Sequence, residues 1–271
     1  MSTHRGALLS RFVSRPAFAA LAPLSRALAR FVLPSRCLAC RDAPVERILR
    51  GGVCEACWKA LPRPDEGRCE ICDETLPALE ASRCGRCLIE APPFALLAAA
   101  APYRGTARDI LLAFKFRGAD YLAPHLARVM QERLTLPTGI DELAAVPATR
   151  RARRRAPHAA ERLARALSGR IGAPFDPARL EKRRETERQS SLPLERRSEN
   201  VRGAFRAQGR APRRILLVDD VATSGATSRE CARALRKAGA EEVTVWCFAR
   251  ASRLDVHLEP SPPSRPVPRA I

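Results

Sequence analysis

A chain of 271 residues, 46% of them hydrophobic, is long enough for one substantial core plus a smaller module, which excludes a disordered protein. No stretch approaches about eighteen uninterrupted apolar residues, so no membrane span is expected and the protein is expected to be soluble and cytoplasmic. The net charge of +19, from 48 Lys and Arg against 29 Asp and Glu, points to polyanionic partners, either phosphorylated metabolites or nucleic acid.

Residues 1–33 contain no acid and mix Arg with apolar residues. Pro16 and Pro23 interrupt what would otherwise read as a targeting segment, so a partly helical or disordered lead is expected instead. Four CxxC pairs follow over 34–90: Cys37/Cys40, Cys54/Cys57, Cys69/Cys72 and Cys84/Cys87, with 13, 11 and 11 residues between successive pairs. A two-residue gap lets a tight knuckle aim two sulfurs at one ion, and a hairpin-length spacer brings round a second knuckle. Eight thiolates then make two four-cysteine zinc sites. Disulfides fit poorly without a secretory signal, and an iron-sulfur cluster fits poorly with the even spacing. Both zinc ions are expected to be structural, because four thiolates leave no open coordination position. Consecutive pairing is the simpler topology, and interleaved pairing also satisfies the spacing. So small a module is expected to depend on metal for folding and to be a removable unit.

Strands and helices alternate from about residue 91 to residue 253. "FALLAAAAPY" reads as a strand, "TARDILLAFKF" and "DYLAPHLARVMQERL" as helices, "DELAAVPAT" as a strand stopped by Pro147, and "AAERLARALSGRIG" as a helix closed by glycine. A charged stretch from Arg179 to Gln208 leads to a strand at Ile215–Val218, a helix at Thr227–Ala238 stopped by Gly239, and a strand at Val243–Phe248. Such alternation predicts an α/β fold with a parallel sheet. Cys231 and Cys247, outside the CxxC block, are expected in the core. Residues 254–271 form a Pro-rich tail expected to be disordered.

Ligands of parallel sheets bind beyond the carboxyl ends of the strands. "ILLVDDVATSGAT" is therefore the candidate site: an aliphatic strand expected to stop at Asp219 and Asp220, then hydroxyls and Gly225 leading into a helix. The N–H groups of Ser224 to Thr227 lack intrahelical partners and can converge on an anion, with the hydroxyls of Thr223, Ser224 and Thr227 as further donors. Gly225 permits the turn. Asp219 and Asp220 suit sugar hydroxyls or a cation.

This stretch resembles the phosphoribosyl pyrophosphate (PRPP) motif of type I phosphoribosyltransferases, and the whole chain resembles the ComF/GntX family, which joins a Cys-rich zinc module to that fold. Supporting stretches are "FKFRGADYLAPHLA", "AVPATRRARRRAPHAAERLA" and "RRETERQSSLPLERRSENVRGAF". The resemblance implies a type I phosphoribosyltransferase-like parallel sheet flanked by helices, over 91–253. It implies a cradle for the ribose 5-phosphate at Thr223, Ser224, Gly225, Ala226 and Thr227, and ribose contacts, with a catalytic role, at Asp219 and Asp220. Lys115, Arg150 and Arg155 are candidates for the pyrophosphate, which Mg2+ would neutralise.

One loop departs from the family. Where Arg-Gly-Phe-Asn-Gln is common, this chain reads Arg155, Ala156, Pro157, His158, Ala159, losing a glycine and a backbone donor. His158, beside an arginine run, is expected to be exposed. Three functions follow from the resemblance: a phosphoribosyltransferase, a non-catalytic single-stranded DNA-binding protein of competence or recombination using the zinc module and Arg-rich surface, and a PRPP sensor acting on a protein partner.

Overall fold

The computed structural model describes residues 35–45, 52–77, 81–148, 158–184 and 199–252. The lead at 1–33, the arginine run 150–155 and the tail at 254–271 lie outside the described residues. Strands β1 (Ser35–Arg36) and β2 (Pro44–Val45) pair antiparallel around the first knuckle. Short helices α1 (Glu55–Lys59) and α2 (Gly85–Ile89) start at Cys54 and Cys84 and carry the second knuckle of each cysteine cluster.

The body begins with β3 (Leu96–Pro102) and α3 (Gly105–Phe116), then a 3-10 turn at Asp120–Leu122 running into α4 (Ala123–Arg133). Strand β4 (Glu142–Ala145) is followed by α5 (Ala159–Ile171), which ends on Gly172 in the left-handed conformation at φ 81°. A short antiparallel pair, β5 (Leu180–Lys182) and β6 (Phe205–Ala207), lies inside the stretch that reads as merely charged. The chain then forms β7 (Arg214–Ala222), α6 (Ala226–Lys237) and β8 (Glu242–Arg250).

β3, β8, β7 and β4, in that order, make one parallel sheet. The inner strands β7 and β8 are covered on both faces, which is why "ILLV" and "VTVWCFA" are continuous rather than alternating in polarity. Helices α3, α4 and α5 pack on one face against Leu216, Val218, Trp246 and Phe248. Helix α6 and the β5–β6 hairpin cover the other, against Ile215, Leu217, Val245 and Cys247. Cys231 and Cys247 are core residues, as expected.

The cysteine clusters are not removable units, because each is continuous with the core on one face of the sheet. Cys37, Val53, Cys54, Cys57 and Leu61 join the α3–α5 side, while Cys69, Cys72, Leu76 and Cys87 join the α6 side. Burying Val53 and Leu61 contributes about 2 kcal/mol each, enough to make separation costly. Arg133 fastens the exit of the first cluster, donating to Leu61 O at 3.1 Å, Pro62 O at 2.7 Å and Ala100 O at 3.0 Å. The second cluster covers the open edge of β3: Leu97 N donates to Ile71 O and Ala99 N to Asp73 Oδ2, both at 2.8 Å. That edge would otherwise present unpaired backbone groups.

Strand β7 is longer than the sequence suggests. It runs through Asp219 and Asp220 to Ala222, because β8 stays beside it to Arg250, with Asp219 opposite Cys247 and Ala222 opposite Arg250. β4 ends earlier, its last residue Ala145 opposite Val218. The sheet therefore has a notch beyond β4, walled by the acidic end of β7.

Candidate functional site

The two acids belong to different faces of the sheet, as successive strand residues must. Asp220 meets α3: Lys115 Nζ lies 2.9 Å from its Oδ1, which also accepts from Val221 N at 2.6 Å. Its Oδ2 is buried without a partner. Asp219 faces the α6 side, within electrostatic reach of Cys231 and Cys247, and its Oδ1 accepts from Asp220 N at 2.8 Å. Burial, reinforced by the charge of Asp220, pushes the Asp219 carboxyl well above the usual carboxylate range. Burial pulls Lys115 down, but Asp220 and Asp219 outweigh it and hold the ammonium above its ordinary value. Arg162 of α5 fixes the last turn of α3, where Lys115 sits, by stacking 4.4 Å over the Phe114 ring and donating to Phe114 O at 2.9 Å.

His158 is not exposed. It caps the start of α5, half-buried, with Nδ1 lacking a partner, and it senses both Asp220 and Lys115. Burial holds its pKa below the ordinary histidine value, so the ring is neutral at pH 7. A polar ring thus stands near Asp220, where the departed family motif had placed an amide. Arg150 and Arg155 lie outside the described residues, as do Ala156 and Pro157.

Thr223 and Ser224 form the turn after β7, Gly225 caps α6 at φ 73°, and Ala226 and Thr227 open the helix. Ser224 Oγ accepts from Ala226 N at 3.4 Å, and no acid lies in the first turn to offset the positive helix end. The carbonyls of this turn are held from behind by two arginines that sequence reasoning missed. Arg250 Nη1 donates to Thr223 O at 2.5 Å, and Arg86 Nη1 donates to Ser224 O at 2.7 Å. Arg250 also pairs with Glu74 at 2.7 Å. With the carbonyls engaged on one side, the N–H groups of Ser224, Gly225 and Thr227 are left for the other.

The cysteines cluster consecutively: Cys37, Cys40, Cys54 and Cys57 form one group, and Cys69, Cys72, Cys84 and Cys87 the other, each with all sulfurs within 4.8 Å of one another. A tetrahedron with Zn–S of about 2.3 Å has edges of about 3.8 Å. The Cys40–Cys54 and Cys72–Cys84 sulfur separations of 3.9 and 3.5 Å match it. Backbone N–H groups point at the sulfurs, Cys54 N to Cys37 Sγ at 3.3 Å and Cys57 N to Cys54 Sγ at 3.4 Å. The N–H groups of Ala43 and Asp42 hold the Cys40 thiol down to about 6. At Cys69 burial is outweighed by N–H groups of Cys84, Cys72 and Ile71, and the thiol titrates at about 7. Each cluster thus holds one thiol that ionises more readily than an ordinary cysteine, and a metal ligand must be ionised. Both sites fit structural zinc.

A double zinc ribbon domain model matches residues 28–88, and a phosphoribosyl transferase domain model matches residues 118–259. The DNA utilization protein YhgH of Escherichia coli K12 is 33% identical over 231 residues, covering 80% of this chain and 98% of that protein. The chain belongs to the ComF family. A second ComF-type relative, competence protein F of Haemophilus influenzae, is 30% identical over 231 residues, covering 80% of this chain and 97% of its own length. Among solved structures, the glutamine PRPP amidotransferase of B. subtilis aligns over 51% of this chain and 30% of the amidotransferase chain, at 21% identity and a TM-score of 0.36. Among the described residues no helix is long and apolar enough to cross a membrane.

Proposed function

We propose that this ComF-family chain holds PRPP or a related phosphoribosyl ligand, with the 5-phosphate on the turn Thr223–Thr227 and the ribose hydroxyls on Asp220, while Asp219, buried on the other face of the strand, supports Asp220 through its backbone N–H. The observation that carries the reading is the state of Asp220. One carboxylate oxygen is fixed by Lys115 and Val221 N–H, while the other is buried, unpartnered and adjacent to a helix start with open donors. A sugar hydroxyl satisfies that oxygen. Lys115 also puts a cation beside the ribose, on the side where a pyrophosphate leaving group would lie. Mg2+ bound to the pyrophosphate would neutralise its charge. Arg150 and Arg155 are further candidates for that contact. In a displacement at the anomeric carbon, Asp220 would steady the oxocarbenium-like charge.

The relatives' names connect the reading to DNA uptake and use, and a cytoplasmic protein working with competence or recombination proteins is consistent with them. Titration calorimetry with PRPP and Mg2+ tests it. Binding should weaken at least tenfold in Asp220→Asn; no heat with the zinc-loaded wild type would overturn the proposal.

A second reading, single-stranded DNA binding, is favoured by a groove of about 560 Å³ between the first zinc ribbon and the body. Trp58 and His125 stand there with ring centroids 6.1 Å apart, among Lys59, Arg128 and Arg170. Burial, with Arg128 nearby, holds His125 below its ordinary pKa, which keeps the ring neutral for stacking on a base. Oligonucleotide affinity should fall steeply with salt and drop in Trp58→Ala; a salt-independent affinity would sink this reading.

A further inference from the structure

The second zinc knuckle and the phosphate turn are joined by side chains crossing in both directions. Arg86 sits between the zinc ligands Cys84 and Cys87 and donates to Ser224 O at 2.7 Å. In return Arg229, in the first turn of α6 and itself buried, donates to Cys87 Sγ at 3.5 Å and to Glu90 O at 3.4 Å. It also lies 5.8 Å from the Phe94 ring centroid. Arg250 makes a third strand of the link, reaching Thr223 O on one side and Glu74, two residues beyond Cys72, on the other. Its side chain is 5% exposed, so the Glu74 pairing is shielded from water.

The chemistry of these contacts makes them sensitive to metal. A sulfur that ligates zinc is a thiolate, and a guanidinium donating to it forms a charge-assisted bond that a neutral thiol does not match. The knuckle that carries Arg86 keeps its shape only while its two cysteines share an ion with the other pair. A turn carbonyl gripped by a guanidinium fixes the peptide plane, and with it the direction of the next N–H, that of Gly225. Gly225, at φ 73°, has no side chain of its own to resist rotation.

We infer that Arg86 and Arg229 are positioning residues that couple zinc in the second ribbon to the phosphate turn, so that metal in that site tightens phosphoribosyl binding and the ligand in turn retains that metal. This rests on the phosphoribosyl reading above for its ligand, but not for its geometry. Coupling of this kind is reciprocal, which separates it from a structural contact that merely helps the chain fold.

The experiment uses the full zinc-loaded chain and its Arg86→Ala, Arg86→Lys, Arg229→Gln and Arg83→Ala variants, each checked for two zinc ions. Arg83 neighbours Cys84 but is engaged with Glu70 at 2.5 Å, so it is the control. Hydrogen exchange at the Ala226 amide, which donates to Ser224 Oγ, and at the Arg229 amide, which donates to Gly225 O, read without ligand, should speed up about tenfold in Arg86→Ala, recover partly in Arg86→Lys and stay at the wild-type rate in Arg83→Ala. With PRPP and Mg2+ added, one of the two zinc ions should leave to a chelator several-fold more slowly in the wild type, and this protection should vanish in Arg86→Ala and Arg229→Gln. Unchanged exchange in Arg86→Ala overturns the inference, as does PRPP protection of zinc that persists in both variants. If the wild type binds no PRPP, the phosphoribosyl reading fails by itself, and the exchange rates still decide whether the knuckle positions the turn.

Discussion

Lys115 and Asp220 form an ion pair of 2.9 Å across the notch between α3 and β7, with Asp220 almost wholly buried and Lys115 about a quarter exposed. Removing the lysine would leave a carboxylate in a poor solvent. Lys115→Met should therefore destabilise the fold by about 2 kcal/mol at neutral pH, a figure below that of a fully buried pair because water still reaches the ammonium. The folded-state pKa of Lys115 is raised, so its contribution is fully present below the unfolded value and is lost as pH rises through the folded one. Denaturant unfolding at pH 7 and above pH 11 should show the gap between wild type and variant narrowing at the alkaline end. In a double-mutant cycle with Asp220→Asn the two costs should be less than additive.

Asp219 has the opposite character. Its carboxyl is raised by burial and by Asp220, so the native state holds the proton more tightly than the unfolded chain does. Between the ordinary carboxylate range and the raised value the native state binds more protons, and stability falls as pH rises. Asp219→Asn removes that penalty. The variant should match wild type near pH 4 and melt several degrees higher at pH 7 to 8, measured by thermal unfolding without ligand. A variant less stable than wild type at pH 8 would contradict the assignment.

The turn and helix start at Thr223–Thr227, the strand before it and the two cysteine clusters were legible in the sequence because each rests on local spacing. "CxxC" repeated with hairpin gaps leaves few ways to satisfy eight thiols, although only the folded chain separates consecutive from interleaved pairing. The length of β7 was not legible, since the ladder past Val218 depends on β8 remaining alongside. The β5–β6 hairpin escaped because each strand has three residues and only Leu180 and Phe205 are buried in it. Arg86 and Arg250 escaped for another reason. In a chain so rich in arginine, nothing local marks the two that grip Ser224 and Thr223, and their partners lie 138 and 27 residues away. His158 was misjudged because its partial burial and its electrostatic neighbours Asp220 and Lys115 depend on residues distant in sequence.

Zinc removal should open the edge of the sheet. Ile71 O and Asp73 Oδ2 occupy the Leu97 and Ala99 amides, and both belong to the second cluster's first knuckle. Chelation, or Cys69→Ser, should raise hydrogen exchange at Leu97 and Ala99 and promote aggregation through the freed edge. Cys37→Ser should affect the α3–α4 side first and leave those two amides protected.

Gly225 tests the turn without displacing any of its partners. A Cβ there would meet only Arg250 Nη1, at 3.8 Å, so space is available and backbone conformation alone sets the cost. At φ 73° an L-residue is disfavoured by about 1 kcal/mol. Gly225→Ala should lower unfolding stability by about that amount if the turn keeps its shape, and Gly225→Asn, which tolerates the left-handed region, by less. If the turn instead relaxes to relieve the strain, the Gly225 N–H swings away from the position proposed for the phosphate. PRPP affinity then falls further than stability does, and calorimetry beside denaturant unfolding separates the two outcomes.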